Sequence, residues 1–288
     1  MGANPTYQGQ ELTAEAALAL LQWQVEMGAD EPMLDAPTDR FALPESTDAP
    51  SARQPAPATQ QLPGLAAMPS APPPVAPRLP DGPDITALVA EAQALADRAD
   101  TLEALATLQE GFNGIELKKG ARNFAFADGN PDARVLILGE APGDEEDRQG
   151  RPFVGRAGQL LDRMFAAIGL ARDAVDAERA LYITNVLPWR PPGNRDPSPD
   201  EMAMMMPFVR RHVALMDPQI VVLMGNTPCQ ATLGRRGILR LRGTWSEAFG
   251  KPALPMTHPA YLLRNPVAKR EAWADLLSLA ERLDAAPV

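Results

Sequence analysis

Three segments of this 288-residue chain bring together side chains that chemistry uses. The first reads Gly139-Glu140-Ala141-Pro142-Gly143-Asp144-Glu145-Glu146-Asp147 and continues to Gly150-Arg151-Pro152-Phe153-Val154-Gly155. Its glycines and prolines permit a sharply turned backbone that approaches a ligand closely, and a carboxylate, Glu140, stands at its head. No Gly-Lys-Ser/Thr follows, so it is not a Walker-type phosphate loop. The second segment is Thr184-Asn185, leading to Arg190-Pro191-Pro192-Gly193-Asn194-Arg195. The amide of Asn185 offers one acceptor and one donor group side by side. The third, Thr257-His258-Pro259-Ala260-Tyr261-Leu262-Leu263-Arg264-Asn265-Pro266, contains one of only two histidines in the chain. Taken singly, each has a plain structural reading: a strand-to-helix loop, a cap or turn asparagine, a packed histidine.

The elements that must position these residues can be read from apolar runs and periodicity. Short strands are expected over 134–139, 181–186, 219–225 and 253–257, and helical spacing over 157–169, 199–216, 227–233 and 266–283. Two further helices are expected at 86–98 and 101–109, the second opened by Asp100-Thr101-Leu102-Glu103 with the spacing of a capping box. Strands alternating with helices imply an α/β three-layer sandwich: a central, mainly parallel four-stranded sheet with helices on both faces. Ligands of such sheets bind beyond the carboxyl ends of the strands, and each of the three segments follows a strand.

Ahead of this body lie an amino-terminal segment (1–31) and a linker (32–84), leaving 85–288 as the folded domain. Between Pro32 and Pro83 there are 14 prolines, mixed with Ala, Ser and Gln. Such a stretch buries too little apolar surface to offset its ordering entropy and is expected to be disordered. Residues 12–27 read as one short amphipathic helix, with Ala14, Leu18, Leu21 and Val25 on one face and Gly28 at its end. An isolated helix of that length is marginal in water, so it docks either on the body or on a protein partner.

The net charge of -10 conceals an uneven distribution. Residues 1–100 hold 14 acids and four bases, whereas residues 101–288 hold 23 of each. The stretch 190–270 carries 12 bases against five acids, which suits a polyanion, although scattered surface arginines are the plainer reading. No run of 18 apolar residues and no basic-then-apolar amino terminus occurs, so no membrane partner and a cytoplasmic location are expected.

In this order, each beyond a strand, the three segments resemble the motifs of a type 4 uracil-DNA glycosylase. That branch of the uracil-DNA glycosylase superfamily carries Gly-Glu-Ala-Pro-Gly, then Asn followed by Arg-Pro-Pro-Gly-Asn-Arg, then His-Pro-Ser-Tyr-Leu-Leu-Arg. The resemblance covers about residues 105–283 and leaves residues 1–84 without a counterpart. It implies a monofunctional glycosylase acting as a monomer on DNA containing uracil, with Glu140 and His258 as catalytic residues. It implies Ala141, Phe153 and Asn185 as the uracil pocket: Asn185 reads the Watson–Crick edge, and Phe153 stacks on the flipped base. Glu146 matches a further motif position. Arg190, Asn194, Arg195 and Arg264 are the implied DNA-binding residues, Asn194 rather as a brace for its loop. Leu262 and Leu263 are candidates for an apolar wedge that fills the vacated place in the duplex, against plain packing on the last helix.

Members of this family typically bind a four-iron four-sulfur cluster through four cysteines. Alignment by the motifs puts Phe112, Ile115, Trp189 and Met205 at those places. The single cysteine, Cys229, excludes a cysteine-ligated cluster within one chain, so no metal and no cofactor is expected. Four apolar replacements suggest a hydrophobic plug that fills the volume of the cluster. The motifs contain no lysine for a Schiff base, which argues against strand cleavage. A related branch traps its product through a histidine in a loop that here reads Asn194-Arg195-Asp196-Pro197, without one. The competing readings are a non-catalytic module that captures uracil-containing or single-stranded DNA, and a scaffold recruited to replication or repair machinery by its amino-terminal helix.

Overall fold

A computed structural model describes residues 84–285 together with two short strands, β1 (Thr6–Tyr7) and β2 (Gln10–Glu11), which pair antiparallel. The chain divides into the units Met1–Arg78 and Leu79–Val288, and all that follows concerns the second. The helix expected over 12–27, and the linker over 32–84 except its last residue, lie outside the described residues.

The second unit is built on six strands rather than four. They are β3 (Ala127–Gly129), β4 (Val135–Gly139), β5 (Leu181–Asn185), β6 (Ile220–Met224), β7 (Ser246–Ala248) and β8 (Lys251–Met256), in the order β3-β5-β4-β6-β8-β7. The inner four are the expected ones, and they run parallel. The outer two are antiparallel edges of three residues each. Ala-Asp-Gly and Ser-Glu-Ala are too short and too polar to carry a readable period, and only pairing with β5 and β8 makes them strands.

Every residue of β4, β5 and β6 is buried, as expected of strands covered on both faces. Leu136, Leu138, Val221 and Leu223 face the helix α6 (Pro199–Met216) through Met202, Met206, Val209 and Val213. The alternate residues Val135, Ile137, Ile183 and Val222 face Leu161 and Phe165 of α5 (Arg156–Ala166) and Leu276 and Leu279 of α10 (Lys269–Ala285). Alternation along each strand thus feeds two cores, one per face.

Helix α6 starts on a capping box, in which the Ser198 hydroxyl accepts from Glu201 N and the Glu201 carboxylate accepts from Ser198 N. Two helices precede the sheet, α1 (Ile85–Asp97) and α2 (Leu102–Gly111). The second is capped by Thr101, whose hydroxyl accepts from Ala104 N at 3.2 Å, so the cap falls one residue later than the expected box, which began at Asp100. The remaining helices are short: α3 (Leu117–Gly120), α4 (Asp144–Gln149), α7 (Asn226–Leu233), α8 (Ile238–Leu241) and α9 (Pro259–Arg264). Among the described residues, no helix is long and apolar enough to cross a membrane.

Candidate active site

Parallel strands in register deliver their ends to one edge of the sheet. Gly139 pairs with Asn185, and Met224 with Met256, so the segments after β4, β5, β6 and β8 all emerge there. Between them opens a cavity of about 570 Å³ whose wall includes Glu140, Ala141, Phe153, Thr227 and His258.

His258 is the N-cap of α9, and its Nδ1 accepts a hydrogen bond from Ala260 N at 3.1 Å. Burial, helped by the nearby positive charge of Arg264, lowers its pKa to about 4. The ring is therefore neutral near pH 7. With Nδ1 engaged as an acceptor, its one proton sits on Nε2, which is left as a donor. Glu140 follows β4 directly, and its Oε2 accepts from the Thr227 hydroxyl at 2.5 Å. Burial raises the Glu140 pKa above the ordinary carboxylate value, although the Thr227 bond opposes the rise.

Phe153 stacks on His258, ring centroids 5.3 Å apart. Its backbone has φ 54°, a left-handed conformation that is costly for a bulky residue. Asn185, at the end of β5, is buried beside the same ring. A Cβ on Gly139 would come within 2.3 Å of Asn185 Oδ1 and 2.5 Å of Phe153 Cε2, so only glycine leaves room for both groups. Asn185 Oδ1 has no hydrogen-bond partner in the described structure. A buried acceptor left unpaired costs about 1–3 kcal/mol, and such groups call for a functional explanation.

The implied DNA-binding residues fare differently from one another. Arg190 is half-buried and donates to Asp144 Oδ1 at 2.6 Å and to Asn194 Oδ1 at 2.8 Å. Arg195 grips Glu201 with two bonds of 2.6 and 2.9 Å. Both brace the segment after β5 internally. Asn194 shares in the brace and, with Arg195 and Arg264, reaches the cavity rim. Arg264 is exposed. Leu262 is corrected: it is fully buried with Leu160 and Ala272, because α9 turns it inward against α5 and α10. Its neighbour Leu263 is half-buried.

Phe112, Ile115, Trp189 and Met205 come together in one buried cluster, with exposures of 1, 1, 3 and 0%. Phe208 and Leu187 join them, and Ala141, itself on the cavity wall, packs against the cluster. Cys229 belongs to the core on one face of the sheet, away from these residues. Phe112, Ile115, Trp189 and Met205 offer no thiolate, so they do not supply the donor set that a four-cysteine cluster requires.

Two polar residues tied to this site escaped sequence reading. Thr227 sits just beyond β6, the one inner strand whose following residues had drawn no attention, although ligands of parallel sheets gather at every strand end. Arg172 lies in the connection between α5 and β5, outside any motif, and hydrogen-bonds the carbonyls of Pro152 and Phe153. No signal in the sequence marks it.

Comparison with known proteins agrees with this arrangement. The family model described as Uracil DNA glycosylase superfamily matches residues 126–277. A type-4 uracil-DNA glycosylase of Thermotoga maritima is 36% identical over 171 residues, covering 58% of this chain and 86% of its own. One from Archaeoglobus fulgidus is 37% identical over 175 residues, with 58% and 85% covered. Another from Saccharolobus solfataricus is 33% identical over 200 residues, with 66% and 89% covered. The matched span runs from just before β3 into α10 and so contains the whole sheet and every strand-end segment around the cavity; on these grounds the chain belongs to the uracil DNA glycosylase superfamily.

Proposed function

We propose that the chain is a monofunctional uracil-DNA glycosylase that hydrolyses the N-glycosidic bond of deoxyuridine in DNA, releasing uracil and leaving an abasic site for base excision repair. The observation that carries this reading is the unpartnered, buried amide oxygen of Asn185, set beside the Phe153 ring and next to a cavity that His258 lines. Uracil offers N3–H to that oxygen and O4 to the amide N–H, whereas cytosine presents the reverse pattern. Phe153 supplies the stacking face.

As the glycosidic bond breaks, negative charge grows on the uracil ring and positive charge on the sugar. The neutral His258, donating from Nε2 to uracil O2, forms a hydrogen bond that strengthens as that charge develops. The Glu140 carboxylate offsets the charge on the sugar and orients the water that adds to C1′. Thr227 holds that carboxylate through its hydroxyl. Arg264 on the rim meets phosphate, and Leu263 fills the vacated stack. Incubating the protein with a labelled uracil-containing strand and then with alkali tests the whole reading. Cleavage at the uracil position after alkali, and none before it, is the expected result; binding without an alkali-labile site would favour a capture module instead.

The pH dependence follows from the two catalytic groups. Glu140 must be ionised, and its pKa is raised, so the single-turnover rate should be level above neutrality and fall as pH drops through a midpoint above 4.5. His258 adds no limb until about pH 4. Glu140→Gln should lower the rate at neutral pH by about 10²-fold and flatten the profile. A wild-type rate that does not change down to pH 4 would show that Glu140 has no part in the chemistry.

We also read this member as free of an iron–sulfur cluster, with Phe112, Ile115, Trp189 and Met205 as an apolar substitute. The purified protein should then be colourless and contain no stoichiometric iron. A broad visible absorption band accompanied by four irons per chain would overturn this. The folded domain of the proposal is 85–288, acting as a monomer, with 1–31 left to bind a protein partner. A truncation starting at Ile85 should excise uracil at the full-length rate, since every residue around the cavity lies after Gly139. A truncated protein that folds but loses activity would show that the amino-terminal segment completes the domain.

A further inference from the structure

Phe153 holds a backbone conformation that a bulky side chain avoids, and such a residue persists only where its surroundings over-determine it. Two groups grip its peptide units from opposite sides. Glu146 Oε1 accepts from Val154 N at 2.9 Å and from Gly155 N at 2.8 Å, just after the strained residue. Arg172 donates from Nη2 to Phe153 O at 2.8 Å and from Nη1 to Pro152 O at 3.0 Å, just before it and at it. The carbonyl of Phe153 has little freedom otherwise: a Cβ on Gly158 would lie 1.8 Å from it, so α5 passes directly over that atom.

Arg172 is itself fixed. Its side chain is only 11% exposed, Nη1 also donates to Asp128 Oδ2 at 2.8 Å, and Nε donates to Asp162 Oδ1 at 2.8 Å. A planar guanidinium with donors in a rigid fork can hold two carbonyls and two carboxylates at once, which a lysine ammonium cannot reproduce. A charge merely needing neutralisation would be satisfied by Asp128 and Asp162. The two carbonyl bonds go beyond that need, and both fall on the residue pair that sets the Phe153 ring.

We propose that Arg172 is a positioning residue for base recognition: its guanidinium fixes the left-handed backbone of Phe153 and so holds the ring in place against His258 and beside Asn185. This rests on the reading of Phe153 as the stacking surface for the flipped base. Arg172 touches neither the base nor the reacting atoms, so it acts on base affinity much more than on the chemical step.

The test uses the full chain with Arg172→Lys, which keeps the charge and loses the fork, and Arg151→Gln as a control. Arg151 donates to the same Asp128 carboxylate, at 2.8 Å, but makes no bond to the Phe153 segment. Arg172→Lys should raise both the enzyme concentration for half-maximal single-turnover excision and the free uracil needed for inhibition about tenfold, the scale of a lost base stack. Its plateau rate should change far less, and Arg151→Gln should move none of these. In a Phe153→Ala background, Arg172→Lys should add nothing further.

The amide to α-proton coupling of Phe153, which reports φ, should shift in Arg172→Lys and stay put in Arg151→Gln. That reading needs no activity, so a wild-type protein that fails to excise uracil would overturn the glycosylase function while the coupling still decides the clamp. Asp162→Ala removes a 47% exposed carboxylate that lies 2.8 Å from both Nε and Nη2 while leaving the two carbonyl bonds in place, and serves if Arg172→Lys does not fold. It should move the same readouts in the same direction by less. Unchanged coupling and unchanged half-saturation in these variants, or an equal effect of Arg172→Lys with and without the Phe153 ring, would overturn the proposal.

Discussion

Changing Asn185 to aspartate should lower uracil excision by at least about 10²-fold, because one hydrogen bond is lost and a charge is added in a place where water cannot compensate. The amide N–H that donates to uracil O4 becomes an acceptor facing an acceptor. Asn185 is 4% exposed, so the new carboxylate is also a charge beside the Phe153 ring, with no cation bonded to it. Such a group escapes its desolvation cost by taking up a proton, which raises its pKa. The protonated acid regains a donor, so part of the lost rate should return as pH falls, opposite in sign to the Glu140 limb of the parent. Discrimination against cytosine should narrow at the same time, since the reading of the edge is no longer one-sided. Single-turnover excision from matched strands carrying one uracil or one cytosine measures both effects. A variant as fast as the parent on uracil would remove Asn185 from the role of base reader.

The second large effect is on stability. Trp189→Ala should destabilise the fold by about 3–5 kcal/mol, the range for deleting a buried large aromatic whose neighbours cannot collapse into the space. Trp189 is 3% exposed and packs on Phe124 at 5.2 Å between ring centroids, in the cluster that also holds Phe112, Ile115 and Met205. Phe112 in turn meets Phe208 at 5.7 Å, which ties the end of α2 to α6. The chain therefore uses this cluster to hold its two leading helices, α6 and the Arg190 segment together. Urea unfolding followed by tryptophan-independent circular dichroism should give a lower midpoint with an unchanged slope. Because Ala141 spans from the cluster to the cavity wall, activity should survive at low temperature and fail early on heating. An unchanged midpoint would show that the cluster is not a structural substitute for anything.

Much of the architecture was legible in advance. The four inner strands are mostly apolar runs of five or six residues, and the long helices carry their period and caps in plain view. The edge strands were not legible, because three polar residues become a strand only through the neighbour that accepts them. At the site, the same division holds. Glu140, Phe153 and His258 were picked out as residue types at strand ends, and they meet at one cavity. Leu262 and Leu263 are adjacent in sequence and alike in chemistry, yet one is core and the other is not, because the single turn of α9 rotates them about 100° apart.

What the sequence by itself determined is the order of the inner strands and long helices, the family, and the apolar character of Phe112, Ile115, Trp189 and Met205 in a chain with a single cysteine. These are properties of residue type and position along a line. Only the tertiary structure decided that those four close into one cluster, that Arg190 and Arg195 are spent on Asp144 and Glu201, and that His258 keeps its proton on Nε2. It also decided that Asn185 Oδ1 has no partner among the described residues and that Arg172 reaches back to Phe153. Hydrogen bonding and desolvation act over a few ångströms in space, between groups 19 to 46 residues apart in the two pairs Arg172–Phe153 and Arg190–Asp144, and spacing along the chain carries no record of which atoms will meet.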